Sequence, residues 1–265
     1  MTTLAPGRTL LALWFLTWMG APLWAGPPFR TDDPQPVDLG HLELYLFSTG
    51  ERRSDGGAGL GPALEVNGGL LPDVQLHLGV SRAYDRPRGA ATHGGLGDTE
   101  VGIKYRVFHE TDTRPQVGFF PMVVLPTGKA QAGLGSGHTQ VTLPVWVQKS
   151  WGPWTTYGGY GWWRSPGDGN RNWSYAGWLA QRDFGEKLTL GLEAFRHTAA
   201  TPGGVASTGF NAGGQVNLSE RHHLLFSGGR QLTGEKRSLF YVGYQLTAGP
   251  FAGLRDWFHR GRSTP

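Results

Sequence analysis

The chain has 265 residues; 38% are hydrophobic, 43 are glycine and none is cysteine, and the formal net charge is +4. The lack of thiols excludes disulfides, thiolate metal sites and a lipid anchor on an N-terminal cysteine. A charge this small and dispersed gives no argument for nucleic acid, and no stretch approaches the ~20 apolar residues of a transmembrane helix.

The first 25 residues have the organisation of an export signal. Arg8 supplies the positive end, residues 10–19 a short apolar core, and residues 20–25 (GAPLWA) a small-residue cleavage pattern ahead of Gly26. The expectation is cleavage there and export. Residues 26–40 (GPPFRTDDPQPVDLG) are too rich in proline to form a regular strand. They form a lead-in ahead of the first strand, either loose or tucked into the body that follows.

From residue 41 to residue 247 apolar and polar residues alternate almost continuously. Leu42, Leu44 and Leu46 oppose Glu43 and Tyr45; Leu64 and Val66 oppose Glu65 and Asn67; Leu76, Leu78 and Val80 oppose Gln75, His77 and Ser81. Val101, Ile103, Tyr105 and Val107 oppose Glu100, Gly102, Lys104 and Arg106, and Val117 and Phe119 lead a run to Leu125. Val141, Leu143 and Val145 alternate with Gln140, Thr142 and Pro144; Leu188, Leu190 and Leu192 alternate with Lys187, Thr189 and Glu193. Phe210 and Ala212, Leu224 and Phe226, and Phe240, Val242 and Tyr244 complete the series. A period of two gives strands with one apolar and one polar face.

About twelve such runs occur, each roughly the length that crosses a bilayer as a tilted strand. Their connectors alternate: those at 71–73, 110–114, 150–153, 183–186 and 219–220 are short, and those at 50–57, 85–95, 126–135, 165–171 and 199–206 are longer and glycine-rich. Sorting by parity is expected of an outer-membrane barrel, with turns on one side and loops on the other. The predicted fold is therefore an all-β, transmembrane antiparallel barrel of the bacterial outer membrane with about 12 strands and a water-facing lumen. A basic tail, 248–265, follows; Phe251, Leu254, Trp257 and Phe258 beside Arg255, Arg260 and Arg262 give either a frayed end or a short amphipathic patch. The tryptophans between 146 and 178 are expected to form an interfacial belt, in preference to the sugar-stacking surface of a lectin.

Three segments carry a family resemblance: PFRTDDP at 28–34, LGDTEVGIKY at 96–105 and QKSWGPWTTYGG at 148–159. Together they resemble a bacterial family labelled putative MetA-pathway of phenol degradation, over about residues 28–247. The resemblance implies an outer-membrane barrel that moves small hydrophobic or aromatic compounds, and it brings no catalytic residues.

Glu43, Glu65, His77, Glu100, Lys104, Arg106 and Glu193 fall on polar faces and would share the lumen of a closed barrel. They form either a charged constriction that filters solutes or ion pairs that stiffen a narrow interior. If the lead-in reaches inside, Asp32 and Asp33 can meet Lys104 or Arg106 while Phe29 fills apolar space, which makes these three the candidate plug.

The rival class is a lipid hydrolase, but the Gly-x-Ser-x-Gly elbow is missing. Only Ser136 with His138, and Ser81 with His77, are spaced for a dyad. Asp168, Asn170 and Asn172 resemble the start of a calcium loop but lack its later acidic ligand, and His222 and His223 point to opposite faces of a strand. The expectation is a channel with no enzymatic activity, no metal and no cofactor. Its partners would be outer-membrane lipid and a small-molecule solute, with no nucleic acid; no feature assigns an oligomeric state.

Overall fold

The computed structural model describes residues 26–251; the leader and, in the tail, Leu254, Trp257 and Phe258 lie outside the described residues. The alternating runs form β1 (Leu42–Arg53), β2 (Gly56–Leu71), β3 (Val74–Pro87), β4 (His93–Leu96), β5 (Thr99–Phe108), β6 (Gln116–Phe119) and β7 (Met122–Leu125). After a long connector with one short 3-10 turn come β8 (Gln140–Trp151), β9 (Trp154–Arg164), β10 (Trp173–Phe184), β11 (Leu188–His197), β12 (Ser207–Asn217), β13 (His222–Gln231) and β14 (Ser238–Ala248). β4 runs on into β5, both against β3, and β6 runs on into β7, both between β5 and β8. The fourteen stretches therefore make twelve staves.

The break between β6 and β7 falls at Phe120 and Pro121, where proline has no N–H to give. Its carbonyl still accepts from Ile103 N at 3.0 Å, and Phe120 N donates to Pro144 O at 3.1 Å, so the stave keeps its place. Antiparallel pairing of β1 with β14, from Leu42 opposite Ala248 to Arg52 opposite Ser238, closes the cylinder. Closure leaves no open edge, which a sheet in hydrocarbon requires.

The two faces separate cleanly. Outward-pointing Leu192, Val242 and Leu46 are 66%, 57% and 55% exposed, while their inward neighbours Glu193, Tyr241 and Tyr45 are buried. Val141, Leu143, Val145, Leu188 and Leu190 share the outer face; Glu100 and Lys104 share the inner one. Such a surface is stable only against lipid.

Two expectations need correction. Residues 50–57 are not a loop: β1 and β2 run through them to a tight turn at Ser54 and Asp55. The space over Gly50 is filled from a neighbouring stave, since a Cβ there would lie 2.0 Å from Cζ of Phe240. The connectors 88–92, 126–139, 165–172, 198–206 and 232–237 gather at one end, while the seven-residue 109–115 lies at the turn end. The tryptophans, secondly, do not form one belt. Trp151 and Trp154 are exposed at the turn end, but Trp146 and Trp163 are buried inside the barrel and Trp173 stacks on Trp163 at 4.4 Å. Trp146 is in phase with inward Thr142 and Pro144, so its orientation follows from the same alternation.

Candidate functional site

The lumen is occupied by the chain's own N-terminal segment. Four prolines keep residues 26–40 out of the sheet, and the segment instead lies against the inner wall. Phe29 N donates to Gly26 O at 2.8 Å, making a small turn, and Phe29 packs with Tyr157 and Leu179. At the far end Leu39 makes a parallel bridge to Gly69 beside the start of β1.

Polar contacts hold the segment along its length. Glu193, fully buried on β11, accepts from Arg30 N at 3.0 Å, Thr31 N at 2.5 Å and the Tyr175 hydroxyl at 3.0 Å on one oxygen, and from Asn211 Nδ2 at 2.5 Å on the other. An ionised carboxylate is acceptor-only, so four donors converging on it satisfy both the buried charge and the backbone of the lead-in. Asp32 Oδ1 receives Lys104 Nζ at 3.0 Å, and Asp33 lies 3.8 Å from the same ammonium, which also sits 5.0 Å from the centroid of the Phe120 ring. Lower down, Val37 N donates to Gln75 Oε1 at 2.9 Å, and Ser227 Oγ donates to Pro28 O at 2.5 Å. Burial pushes the Asp32 carboxyl up to about 7, against the pull of the Lys104 ammonium.

The wall is shaped to admit the segment. A Cβ at Gly177 would lie 2.0 Å from Thr31 Oγ1, and one at Gly118 would lie 2.8 Å from Pro34 Cβ and its carbonyl oxygen. Any side chain at either position would collide with the lead-in.

Among the predicted lumen residues, Glu65, His77 and Glu100 form one cluster. His77 Nδ1 is 2.9 Å from Asn67 Oδ1 and 3.6 Å from Glu65, and its Nε2 is 3.8 Å from Glu100. Glu43 instead accepts from the Tyr45 hydroxyl at 2.6 Å. Arg106 does not meet Asp32 or Asp33. It binds Asp73 in the β2–β3 turn at 2.6 Å and reaches Gln35 and Gln116 at 3.1 and 3.2 Å. Burial raises the Asp73 carboxyl, but the bonds from Arg106 and His109 outweigh it and hold the group below its ordinary value.

Sequence reasoning missed two features. At the loop end, Glu51 takes Arg237 at 2.8 and 2.9 Å and Arg53 at 3.3 Å, while Arg53 also meets Asp85 at 3.2 Å. Across the lumen, Phe120, Met122, Trp146, Trp163, Tyr175, Phe195 and Leu239 form an aromatic-rich layer. Arg30 lies 4.9 Å from the Phe195 centroid against this layer. The indole Nε1 atoms of Trp146 and Trp163, and Thr142 Oγ1, are buried there without a partner. Part of the signal was phase: Glu51 and Arg53 alternate in step with Glu43 and Tyr45, and Phe195 with Glu193, whereas Arg237 and Phe120 lie outside the strands.

On the turn side of the lead-in a cavity of about 580 Å³ remains, lined by Asp32, Glu43, Glu65, Lys104, Tyr157 and Gln245 among others. The paired positions of the rival readings are otherwise engaged. Ser136 Oγ donates to the backbone carbonyl of His138 at 2.8 Å, Asn172 Oδ1 accepts from Ser165 N at 2.9 Å, and His223 Nδ1 lies 2.8 Å from Asn217 Oδ1.

No family model matches the chain, and no curated protein matches it by sequence. Solved structures do. A crystal structure of an outer-membrane channel from Pseudomonas putida F1 is similar at a TM-score of 0.66 and 13% identity, covering 82% of this chain and 98% of that one. The KdgM porin in complex with disordered oligogalacturonate matches at 0.54 and 12%, covering 77% and 99%. The translocator domain of the autotransporter NalP from Neisseria meningitidis matches at 0.51 and 11%, covering 79% and 89%. At these identities the likeness is one of fold.

Proposed function

We propose that the chain is an outer-membrane channel for small solutes whose lumen is narrowed by its own N-terminal segment, acting without covalent chemistry. One observation carries the proposal: residues 26–40 cross the lumen and are held there by Glu193, Lys104 and Gln75. A barrel with no path to control has no need of a segment seated on polar contacts. Channels and porins among the structures of similar fold support the same reading, and the outward apolar face supports its place in the membrane.

The aromatic layer favours hydrophobic or aromatic solutes. Two indole donors and a threonine hydroxyl lie unused among ring faces. A planar solute with one polar atom could stack on the rings and take one of these donors. The test is ion current through barrels lacking residues 27–36, with phenol added on one side. Phenol should block the current and an equal concentration of glucose should not, and Trp163→Ala should remove the block. Equal block by both solutes would rule out the aromatic preference.

A further inference from the structure

Asp32 is a buried carboxylate used on one side only. Oδ1 receives Lys104 Nζ at 3.0 Å and Asp33 N at 2.8 Å, while Oδ2 is buried with no partner. Its surroundings are short of positive charge. The cavity beside it is lined by six carboxylates, Asp32, Asp33, Glu43, Glu65, Asp183 and Glu186, and by one ammonium, that of Lys104. A buried carboxylate oxygen in such a place calls for a cationic donor.

The nearest candidate belongs to the chain itself. The turn at residues 26–29 folds Gly26 back onto Asp32, so that a Cβ on Gly26 would lie 2.8 Å from Asp32 Oδ1 and 2.6 Å from Asp32 Cα. The α-nitrogen sits on the same tetrahedral carbon, roughly 2.5 Å from that Cβ position. It is therefore within roughly 5 Å of Asp32 Oδ1, the range in which opposite charges favour each other's ionised form. The cleavage pattern at residues 20–25 ends immediately before this glycine.

We propose that removal of the leader between Ala25 and Gly26 creates a buried ammonium site, in which the new Gly26 α-ammonium pairs with the Asp32 carboxylate and locks the lead-in inside the barrel. A leader peptidase adds water across the Ala25–Gly26 amide. The C–N bond breaks, hydroxide goes to the Ala25 carbonyl carbon, and a proton goes to the Gly26 nitrogen. A second proton from solvent completes the ammonium, whose ordinary pKa of about 7.7–8.0 keeps it charged at neutral pH. Before cleavage the same nitrogen is a neutral amide with one N–H; afterwards it is a cation with three. Seating of the segment is thereby tied to processing. The inference rests on the reading that the leader is cleaved at this bond.

The test uses full-length protein matured in the outer membrane. Intact mass should place Gly26 first, and any other first residue overturns the proposal. The α-amine is then acylated at neutral pH and the N-terminal peptide quantified by mass spectrometry. In the native barrel it should label at least tenfold more slowly than in the urea-unfolded chain. Asp32→Asn should restore fast labelling. So should one alanine inserted between Ala25 and Gly26, which shifts the ammonium by a residue and leaves the Asp32–Lys104 pair intact. Fast labelling of the native terminus, or unchanged protection in both variants, overturns the site whatever current the barrel carries. Slow labelling relieved by either variant supports it even in a barrel that conducts nothing, an outcome that would refute the channel alone.

Discussion

Leu192→Arg offers a direct reading of which face meets lipid and at what depth. Leu192 is the most exposed of the outward leucines, at 66%, and its partners across the sheet are Ala180 and Ala212. The outer groove around Leu192 is apolar except for Arg182, a like charge that cannot partner a second arginine, and at mid-depth on the lipid face of a barrel arginine costs about 2–4 kcal/mol. That is about 30- to 700-fold in the folding equilibrium, since each 1.4 kcal/mol is tenfold. Two residues nearer the turn end the expectation changes. Leu190 is opposite Arg182, whose guanidinium lies against Trp154 and Phe184 at 5.5 and 5.1 Å, an aromatic girdle carrying a cation. Leu190→Arg should cost about 0–1 kcal/mol for its depth, as positions near the interface do, with a further repulsion from Arg182 directly opposite. Thr189→Arg, on the inner face beside Asp183, should be tolerated. Reversible urea unfolding in phospholipid vesicles, followed by tryptophan fluorescence, gives all three values. Equal costs for Leu192→Arg and Thr189→Arg would refute the assignment of faces, because a one-residue slip exchanges them.

Other consequences concern the lead-in. Gly177→Ala places a methyl 2.0 Å from Thr31 Oγ1, while Gly228→Ala meets nothing closer than 3.9 Å. The first should cost about 1–3 kcal/mol by overpacking and the second close to nothing, in the same unfolding assay. Glu193→Gln removes the charge that Arg30 N, Thr31 N and Tyr175 bind. At about 2 kcal/mol for hydrogen bonds to a charged group, trypsin cleavage after Arg30 should accelerate about 30-fold; unchanged protection would show that the seat lies elsewhere. Asp73 is held below its ordinary pKa by Arg106 and His109. Its contribution to stability is present above the unfolded value of about 3.9 and is lost as pH falls through the lower folded value. Asp73→Asn should therefore lower stability at neutral pH and flatten the acid limb of the stability profile below about pH 4; an identical limb in the variant would contradict this.

Much of the barrel was legible because its period of two is imposed by physics on every stave. Alternation around Leu190 and Leu192, or around Lys104, allows one register only, since the other puts charge in lipid. The same rule was not carried to Trp146 and Trp163, where the general preference of tryptophan for interfaces was allowed to override phase. Glycine misled at 50–57. Gly50 there makes room for Phe240 from a neighbouring stave, as Gly59 just beyond does for Tyr84, a contact that no local pattern reveals. Within the site, the pairing of Asp32 with Lys104 was one of two partners that charge and reach allowed. The turn then decided the matter, because Asp73 occupies Arg106. The role of Glu193 as an acceptor for backbone N–H groups had no signal of its own in the sequence, since backbone donors look alike in any sequence.

The central claim is that residues 26–40 narrow the lumen. Single-channel conductance in planar bilayers, comparing the intact barrel with one lacking residues 27–36, tests it most directly. Loss of the segment removes Phe29, Thr31 and Asp32 from the interior and frees the space they fill. The account predicts a several-fold rise in conductance for the truncated barrel, with both proteins equally folded by heat-modifiable mobility. Equal conductance in the two would contradict it.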